Sequence, residues 1–235
     1  MNARFAVAVV FVGCASSAEP TTVHATAEAH GRALFRDPAA SPSVSNRFAC
    51  ATCHRDEADK TARVFPGGDL AGATMRTRFW GGARADLLEA INDCRLAFMD
   101  APAPWPKDDP DARAMFAYLD ARREGPPEIA FTVVVRAPDL PPGDVTRGAA
   151  AFALACRTCH GEAHNGVGRL VPFAPRLPDD FDADHVALSA GERRSLVLRK
   201  IREGGFRDAA GNMPPFSREV LSDEDVSAVL AFLGQ

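Results

Sequence analysis

The chain has no excess of basic residues, almost no tyrosine and no long apolar run. Its 27 Lys and Arg against 31 Asp and Glu give a formal net charge of -4, without the basic footprint of a nucleic-acid-binding domain. No segment approaches the roughly 20 uninterrupted apolar residues of a membrane-spanning helix. With 18 Gly and 18 Pro in 235 residues, a collagen-like or low-complexity chain is excluded. The composition favours a globular protein of one large or two small domains, with no nucleic-acid partner.

The six Cys carry the strongest signal in the sequence. Four of them form two copies of one motif, CATCH at residues 50–54 and CRTCH at residues 156–160. A CxxC pair alone also fits a zinc knuckle or a redox dithiol, but CxxCH is typical of covalent haem c attachment. The two thiols add to the haem vinyl groups and the His ligates the iron. The motifs predict two haem c groups, attached by Cys50, Cys53 and His54 and by Cys156, Cys159 and His160.

The residues before the two motifs repeat as well. Gly148 and Phe152 lie in a helix predicted over residues 144–155, and Gly31 and Phe35 keep the same spacing in a helix over residues 27–35. This arrangement resembles the N-terminal helix of class I cytochrome c. A Gly at this position lets a second helix cross at close range. We therefore expect each unit to begin with a helix that is crossed by its terminal helix.

The residues after the motifs also correspond in the two halves. Pro66 and Pro172 follow their His at the same spacing, and the cytochrome c fold implies a Pro carbonyl there that accepts the His ring N–H. Apolar periodicity predicts two further helices per unit, at residues 84–92 and 109–122 and at residues 192–202 and 222–233. Their inward residues are predicted to be Leu87, Leu88, Ile91, Met115, Phe116 and Leu119 in the first unit and Leu196, Val197 and Ile201 in the second. Ser222 has the side chain and the position of an N-cap.

These features predict an all-α fold of two tandem class I cytochrome c-like domains joined by a Pro-rich linker. The first domain is expected over residues 24–123, the linker over 124–143 and the second domain over 144–235. Within the linker, residues 129–135 have the composition of a short extended segment. We call the two predicted domains the first and the second unit.

The ligand on the far side of each iron decides much of the haem chemistry. Met213, followed by two prolines, looks like the Met-Pro segment of class I cytochromes c and is the candidate in the second unit. In the first unit Cys94 and Met99 compete. The repeat alignment brings Met99 nearest to the role of Met213, whereas Cys94 is left without a disulfide partner in an oxidising compartment. Both stay open as ligands of the first iron.

The first unit resembles a known family of sulfur-oxidising enzymes. Residues 90–94 read AINDC, Phe98 and Met99 follow, and residues 46–54 read NRFACATCH. These segments look like the first haem domain of the dihaem thiosulfate dehydrogenases and of related sulfur-oxidising cytochrome subunits. The resemblance implies that Cys94 ligates a catalytic haem.

Three functions are compatible with this sequence. The first is an exported dihaem cytochrome that passes electrons to a redox partner protein. The second is a thiosulfate dehydrogenase that forms tetrathionate, with Cys94 on the catalytic haem and Arg76, Arg78 or Arg95 supplying positive charge for the substrate dianion. The third is a haem sensor or structural subunit.

The first residues predict export. Arg4 precedes an apolar run over residues 5–12, as in a secretory signal, which we place at residues 1–18. Gly13 and Cys14 resemble a bacterial lipoprotein processing box, and an ordinary signal-peptidase site after Ala18 is the alternative. We expect a periplasmic protein whose membrane contact is a lipid anchor at Cys14.

Overall fold

The chain was analysed as a computed structural model, which describes residues 26–124, 131, 140–207 and 211–235. The predicted signal segment with Cys14, and all of the predicted extended segment except Phe131, lie outside these residues. Within the described ranges, every helix is too short or too polar to cross a bilayer.

The described residues form an all-α fold, with isolated β-bridges as the only pairing of extended segments that they show. This confirms the predicted fold class. The helices are α1 (Ala27–Arg36), α2 (Cys50–Cys53), α3 (Leu87–Ala97), α4 (Pro110–Ala121), α5 (Val145–Ala155), α6 (Arg157–His160), α7 (Asp179–Asp184), α8 (Ala190–Arg207) and α9 (Asp223–Phe232).

Short polar side chains set where the longer helices begin. Asp86 caps α3 by accepting the Glu89 N–H, which is why α3 starts later than its apolar pattern predicts. Ser222 accepts the N–H of Asp225 at the start of α9, and this confirms the predicted cap. Asp109 and Asp144 play the same role for α4 and α5. Each cap satisfies a backbone donor that the first helical turn leaves without a partner.

In the first unit α1 crosses α4. Gly31 lies at the crossing, where a β-carbon would come within 1.9 Å of the Ala114 carbonyl oxygen. Beside it the rings of Phe35 and Tyr118 are 5.2 Å apart. The buried cluster around this contact consists of Phe35, Trp105, Ala112, Met115, Tyr118 and Leu119, with Leu87, Leu88 and Ile91 of α3 packed against it. Phe116, predicted to face inward, is only half-buried and is not part of the cluster.

In the second unit α5 crosses α9 in the same way. A β-carbon at Gly148 would lie 2.0 Å from the Ala228 carbonyl oxygen, so the predicted close crossing is confirmed in both units. Val197 and Ile201 of α8 are buried as predicted. Leu196 was predicted to face inward, but it is only partly buried and Leu198 takes the core position. Leu198 lies three residues before Ile201 and so shares its face of the helix, whereas Leu196 points to nearly the opposite side from Leu198.

The two units touch each other directly. The Val64 N–H donates to the Leu154 carbonyl with N and O 3.0 Å apart. Asn212 donates from Nδ2 to the Phe98 carbonyl over 3.1 Å. A small buried cluster of Ala40, Phe48 and Met99 has Cys159 and Leu170 of the second unit packed against it. Side chains and backbone of both units therefore share one interface.

Candidate haem attachment sites

The first CxxCH motif lines a large cavity. This cavity has a volume of about 550 Å³, and Cys50, Cys53 and His54 form part of its wall. Cofactor sites have volumes of about 300 to 1,000 Å³ and mostly apolar walls. The apolar wall of this cavity includes Phe35, Phe48, Leu87, Ala90, Ile91, Phe98, Met115 and Leu119. The size and the lining fit a haem held at Cys50 and Cys53.

The His54 ring lies against the backbone of Gly67. A β-carbon on Gly67 would be 2.3 Å from Cε1 and 2.5 Å from Nδ1, so no larger residue fits beside the ring. The Nδ1 atom is buried and has no hydrogen-bond partner among the described residues. The Pro66 carbonyl expected to accept from His54 is thus not its partner, since the Gly67 backbone covers that side of the ring. Burial lowers the pKa of His54 to about 4, which keeps the ring neutral as an iron ligand must be.

In the second motif the His ring has an acceptor. Nδ1 of His160 lies 3.0 Å from the Pro175 carbonyl oxygen, an arrangement that puts the proton on Nδ1 and leaves Nε2 for a metal. The predicted acceptor was Pro172, and this was wrong. Pro172 sits within a turn closed by the Ala174 N–H on the Val171 carbonyl, and the chain returns toward the ring only at Pro175. Burial lowers the pKa of His160 as well, against the effect of this hydrogen bond.

Cys94 and Met99 both line the first cavity, so the structure brings both predicted candidates to the same site. Cys94 lies on α3 in register with Leu87, Ala90 and Ile91, the face of that helix that lines the cavity. Met99 follows the helix, is 4% exposed and packs in the cluster with Ala40 and Phe48. Burial raises the pKa of the free Cys94 thiol well above its ordinary value.

Met213 lies in a segment held by two glycines at the end of α8. Gly204 has φ of 59°, which favours glycine, and a β-carbon there would lie 2.3 Å from the Met213 carbonyl oxygen. Gly205 donates its N–H to the same carbonyl over 2.6 Å. Met213 and Cys156 both pack against the core of the second unit.

The three predicted arginines also line the first cavity. Arg95 is 3% exposed, with its guanidinium 3.9 Å from the centre of the Trp105 ring and its Nη1 on the Ala103 carbonyl. Arg76 donates to the carbonyls of Asp69 and Ala71. Arg78 is exposed. These arginines bring positive charge to the cavity wall, which also includes Asp69.

Sequence reasoning missed several residues at this cavity. Pro214, Ser217 and Val220 come from the second unit, and Phe131 comes from the predicted linker. The Phe131 ring meets the Trp80 ring edge-on at 5.6 Å. No local pattern marks these residues, because each acts through a contact with a distant part of the chain. The described residues bring no three His, Cys, Asp or Glu side chains together as a metal site.

Comparison with known proteins bears on the second unit. Residues 143–233 match the family model described as cytochrome c oxidase, cbb3-type, subunit III. No curated protein matches the chain. Among solved structures, the chain is similar to thiosulfate dehydrogenase TsdBA from Marichromatium purpuratum in its as-isolated form, with 23% identity and a TM-score of 0.43. That match covers 86% of this chain and 44% of the other, so the chain spans less than half the length of the protein it matches.

The family match and the geometry of the second motif agree. The match includes Cys156, Cys159, His160 and Met213, and its helices are those that the structure places around the second core. Domains of this family bind haem c covalently and exchange electrons with redox partner proteins. The second unit is therefore a cytochrome c domain.

Proposed function

We propose that the chain is an exported dihaem c-type cytochrome that transfers electrons through two covalently bound haems. The observation that carries this proposal is the cavity at the first CxxCH motif, a motif that lies outside the residues matched by the family model. Its wall holds a complete CxxCH motif, two sulfur side chains and an apolar surface large enough for a haem. A second haem beside that of the cytochrome c domain gives the protein two one-electron centres.

The chain's own residues have separate tasks at each centre. Cys50 and Cys53 would form the thioether bonds of the first haem, and His54 would ligate its iron through a ring nitrogen. The apolar wall excludes water and lowers the local dielectric, which makes nearby charges effective in setting the potential. The haem itself supplies reversible one-electron oxidation and reduction of iron.

The ligand on the far side of each iron would make the reduction potentials of the two haems different. Met213 is our candidate in the second unit, because two glycines hold its segment and it packs on the same core as Cys156. In the first unit we favour Cys94 over Met99, since Cys94 continues the cavity-lining face of Ala90 and Ile91 on α3, whereas Met99 packs on Phe48. A thioether raises the haem potential, whereas a thiolate pushes electron density onto the iron.

Export and the partner belong to the same proposal. The apolar run at residues 5–12, with Arg4 before it, supports export to the periplasm, and Cys14 supports lipid anchoring there. The partner would be another redox protein, docking where a haem edge reaches the surface.

The first test is the number of haems per chain. We expect the holoprotein, made with a cytochrome c maturation system, to contain two haems by pyridine haemochrome assay against protein mass. Cys50→Ser with Cys53→Ser should leave one haem, and so should Cys156→Ser with Cys159→Ser, because each pair removes one set of thioether bonds. Cys94→Ser is the matched control and should keep two. One haem in the wild-type protein would refute the proposal.

A second candidate function is thiosulfate oxidation. The observation that favours it is that the first cavity is lined by Cys94 together with three arginines, Arg76, Arg78 and Arg95. Two thiosulfate dianions would join into tetrathionate through a new S–S bond and release two electrons, one for each haem. Arginine attracts such a dianion through charge and hydrogen bonds.

This candidate predicts that thiosulfate reduces the haems of the wild-type protein and yields tetrathionate. Cys94→Ser should lower the rate at least 100-fold, because the sulfur at the reacting iron is lost, while the haem content stays at two. The measurement is stopped-flow haem absorbance with tetrathionate quantified at the end point. A wild-type protein that thiosulfate does not reduce would leave electron transfer alone as the function.

A further inference from the structure

The loop after the first motif reaches both haem attachment segments. Arg63 donates from Nη2 to the carbonyl of Thr52, inside the first motif, over 3.2 Å. The next residue, Val64, donates its backbone N–H to Leu154, two residues before the second motif, over 3.0 Å. Two neighbouring residues thus join the first attachment segment to the second.

The second motif also approaches the first from its other side. Cys159 packs against the buried cluster that contains Met99 and Phe48, both of which line the first cavity. Val64 packs against the core of the second unit. The two haem attachment segments therefore meet at a common junction that contains Arg63.

The guanidinium of Arg63 is held in place within this junction. It lies 4.5 Å from the centre of the Phe65 ring, itself 5% exposed. Its Nε is buried and has no hydrogen-bond partner in the part of the chain that the structure describes. A guanidinium stays charged at all working pH values, so the junction holds a fixed positive charge at low local dielectric.

This charge lies close to both motifs. The Arg63 guanidinium contacts the carbonyl of Thr52, the residue before Cys53, and it interacts electrostatically with the sulfur atoms of both Cys53 and Cys159. A positive charge beside both attachment sulfurs would stabilise the reduced, more negative state of a haem attached at either motif.

We propose that Arg63 is a shared electrostatic residue that raises the reduction potentials of both haems at once. The inference rests on the proposed dihaem function. Arg63 would not ligate either iron; its charge would act through space on both attachment sites. Electrons held by the two haems are thereby stabilised by one common charge, and this favours exchange between the haems over loss of the electron to solvent oxidants.

The test is a spectroelectrochemical titration of the holoprotein. Arg63→Gln should lower both midpoint potentials by about 59 mV. For a one-electron couple, this shift is a tenfold decrease in the ratio of reduced to oxidised haem at a fixed ambient potential. Arg63→Lys keeps the charge without the guanidinium fork and should recover most of both potentials. Arg113→Gln, which removes an exposed Arg of α4 in the first unit, is the matched control and should shift neither.

The outcomes separate this inference from the function on which it rests. If the wild-type protein holds two haems and Arg63→Gln shifts one potential or none, the shared charge is refuted and the dihaem proposal stands. If Arg63→Lys lowers the two midpoint potentials as much as Arg63→Gln does, contact geometry and not charge sets the potentials, and the inference is again refuted. A wild-type protein with a single haem refutes both.

Discussion

Replacing Gly148 with Ala is expected to destabilise the second unit strongly and to lower its unfolding temperature. The added β-carbon would lie 2.0 Å from the Ala228 carbonyl oxygen and 2.7 Å from the Phe232 β-carbon. The first atom belongs to the backbone of α9 and the second moves with it, so α5 and α9 would have to separate. Overpacking typically costs about 1 to 3 kcal/mol and occasionally more, and this backbone clash lies at the upper end, a large share of the roughly 5 to 15 kcal/mol that stabilise a domain.

The measurement is thermal and denaturant unfolding of the holoprotein, followed by haem absorbance and far-UV circular dichroism. Gly191→Ala is the matched control, because Gly191 lies in α8 of the same unit and a β-carbon there meets nothing within 4 Å. That variant should stay within about 1 kcal/mol of the wild type. An equal loss of stability in both variants would show that the close helix crossing does not cause the effect of Gly148→Ala.

Replacing the sulfur of Cys94 with oxygen, in Cys94→Ser, should remove the proposed thiolate ligand of the first iron. We expect ferric holoprotein to show two low-spin EPR signals at low temperature, one of a thiolate-ligated haem and one of a His/Met haem. Cys94→Ser should abolish the first signal, and Met213→Leu the second. The physical reason is the register of α3, which directs Cys94 into the cavity beside Ala90 and Ile91.

Two methionine variants serve as controls for this result. Met99→Leu preserves the packing volume against Ala40 and Phe48, and Met75→Leu alters an exposed side chain. Both should keep the thiolate signal. If Met99→Leu removes one of two His/Met signals and Cys94→Ser changes nothing, Met99 is the ligand and the Cys94 assignment is wrong.

The parts of the fold that could be predicted from the sequence are those with a local cause. The role of Gly31 and Gly148 could be predicted because a close helix crossing leaves no room for a side chain. The role of Ser222 could be predicted because a helix N-cap favours a short hydroxyl side chain at that position. The CxxCH motifs are visible because thioether chemistry and iron ligation fix their residue types and spacing.

The parts that could not be predicted depend on contacts between distant segments. Pro175 replaces Pro172 as the partner of His160 because of the path of a turn, which spacing alone does not reveal. The bond from Asn212 to Phe98 joins residues of the two units, and no periodicity marks either residue for it. Leu196 was different, because the helical pattern itself favours Leu198, which lies three residues before Ile201, and the prediction of Leu196 as inward was wrong.

The wall that Pro214, Ser217 and Val220 contribute to the first cavity has a consequence for biosynthesis. The first motif leaves the ribosome long before these residues, because synthesis runs from the N-terminus. Until the second unit docks, with Asn212 on the Phe98 carbonyl, a haem attached at Cys50 and Cys53 would lack this part of its wall. The first centre would therefore be completed last, although the residues that would attach its haem are synthesised first.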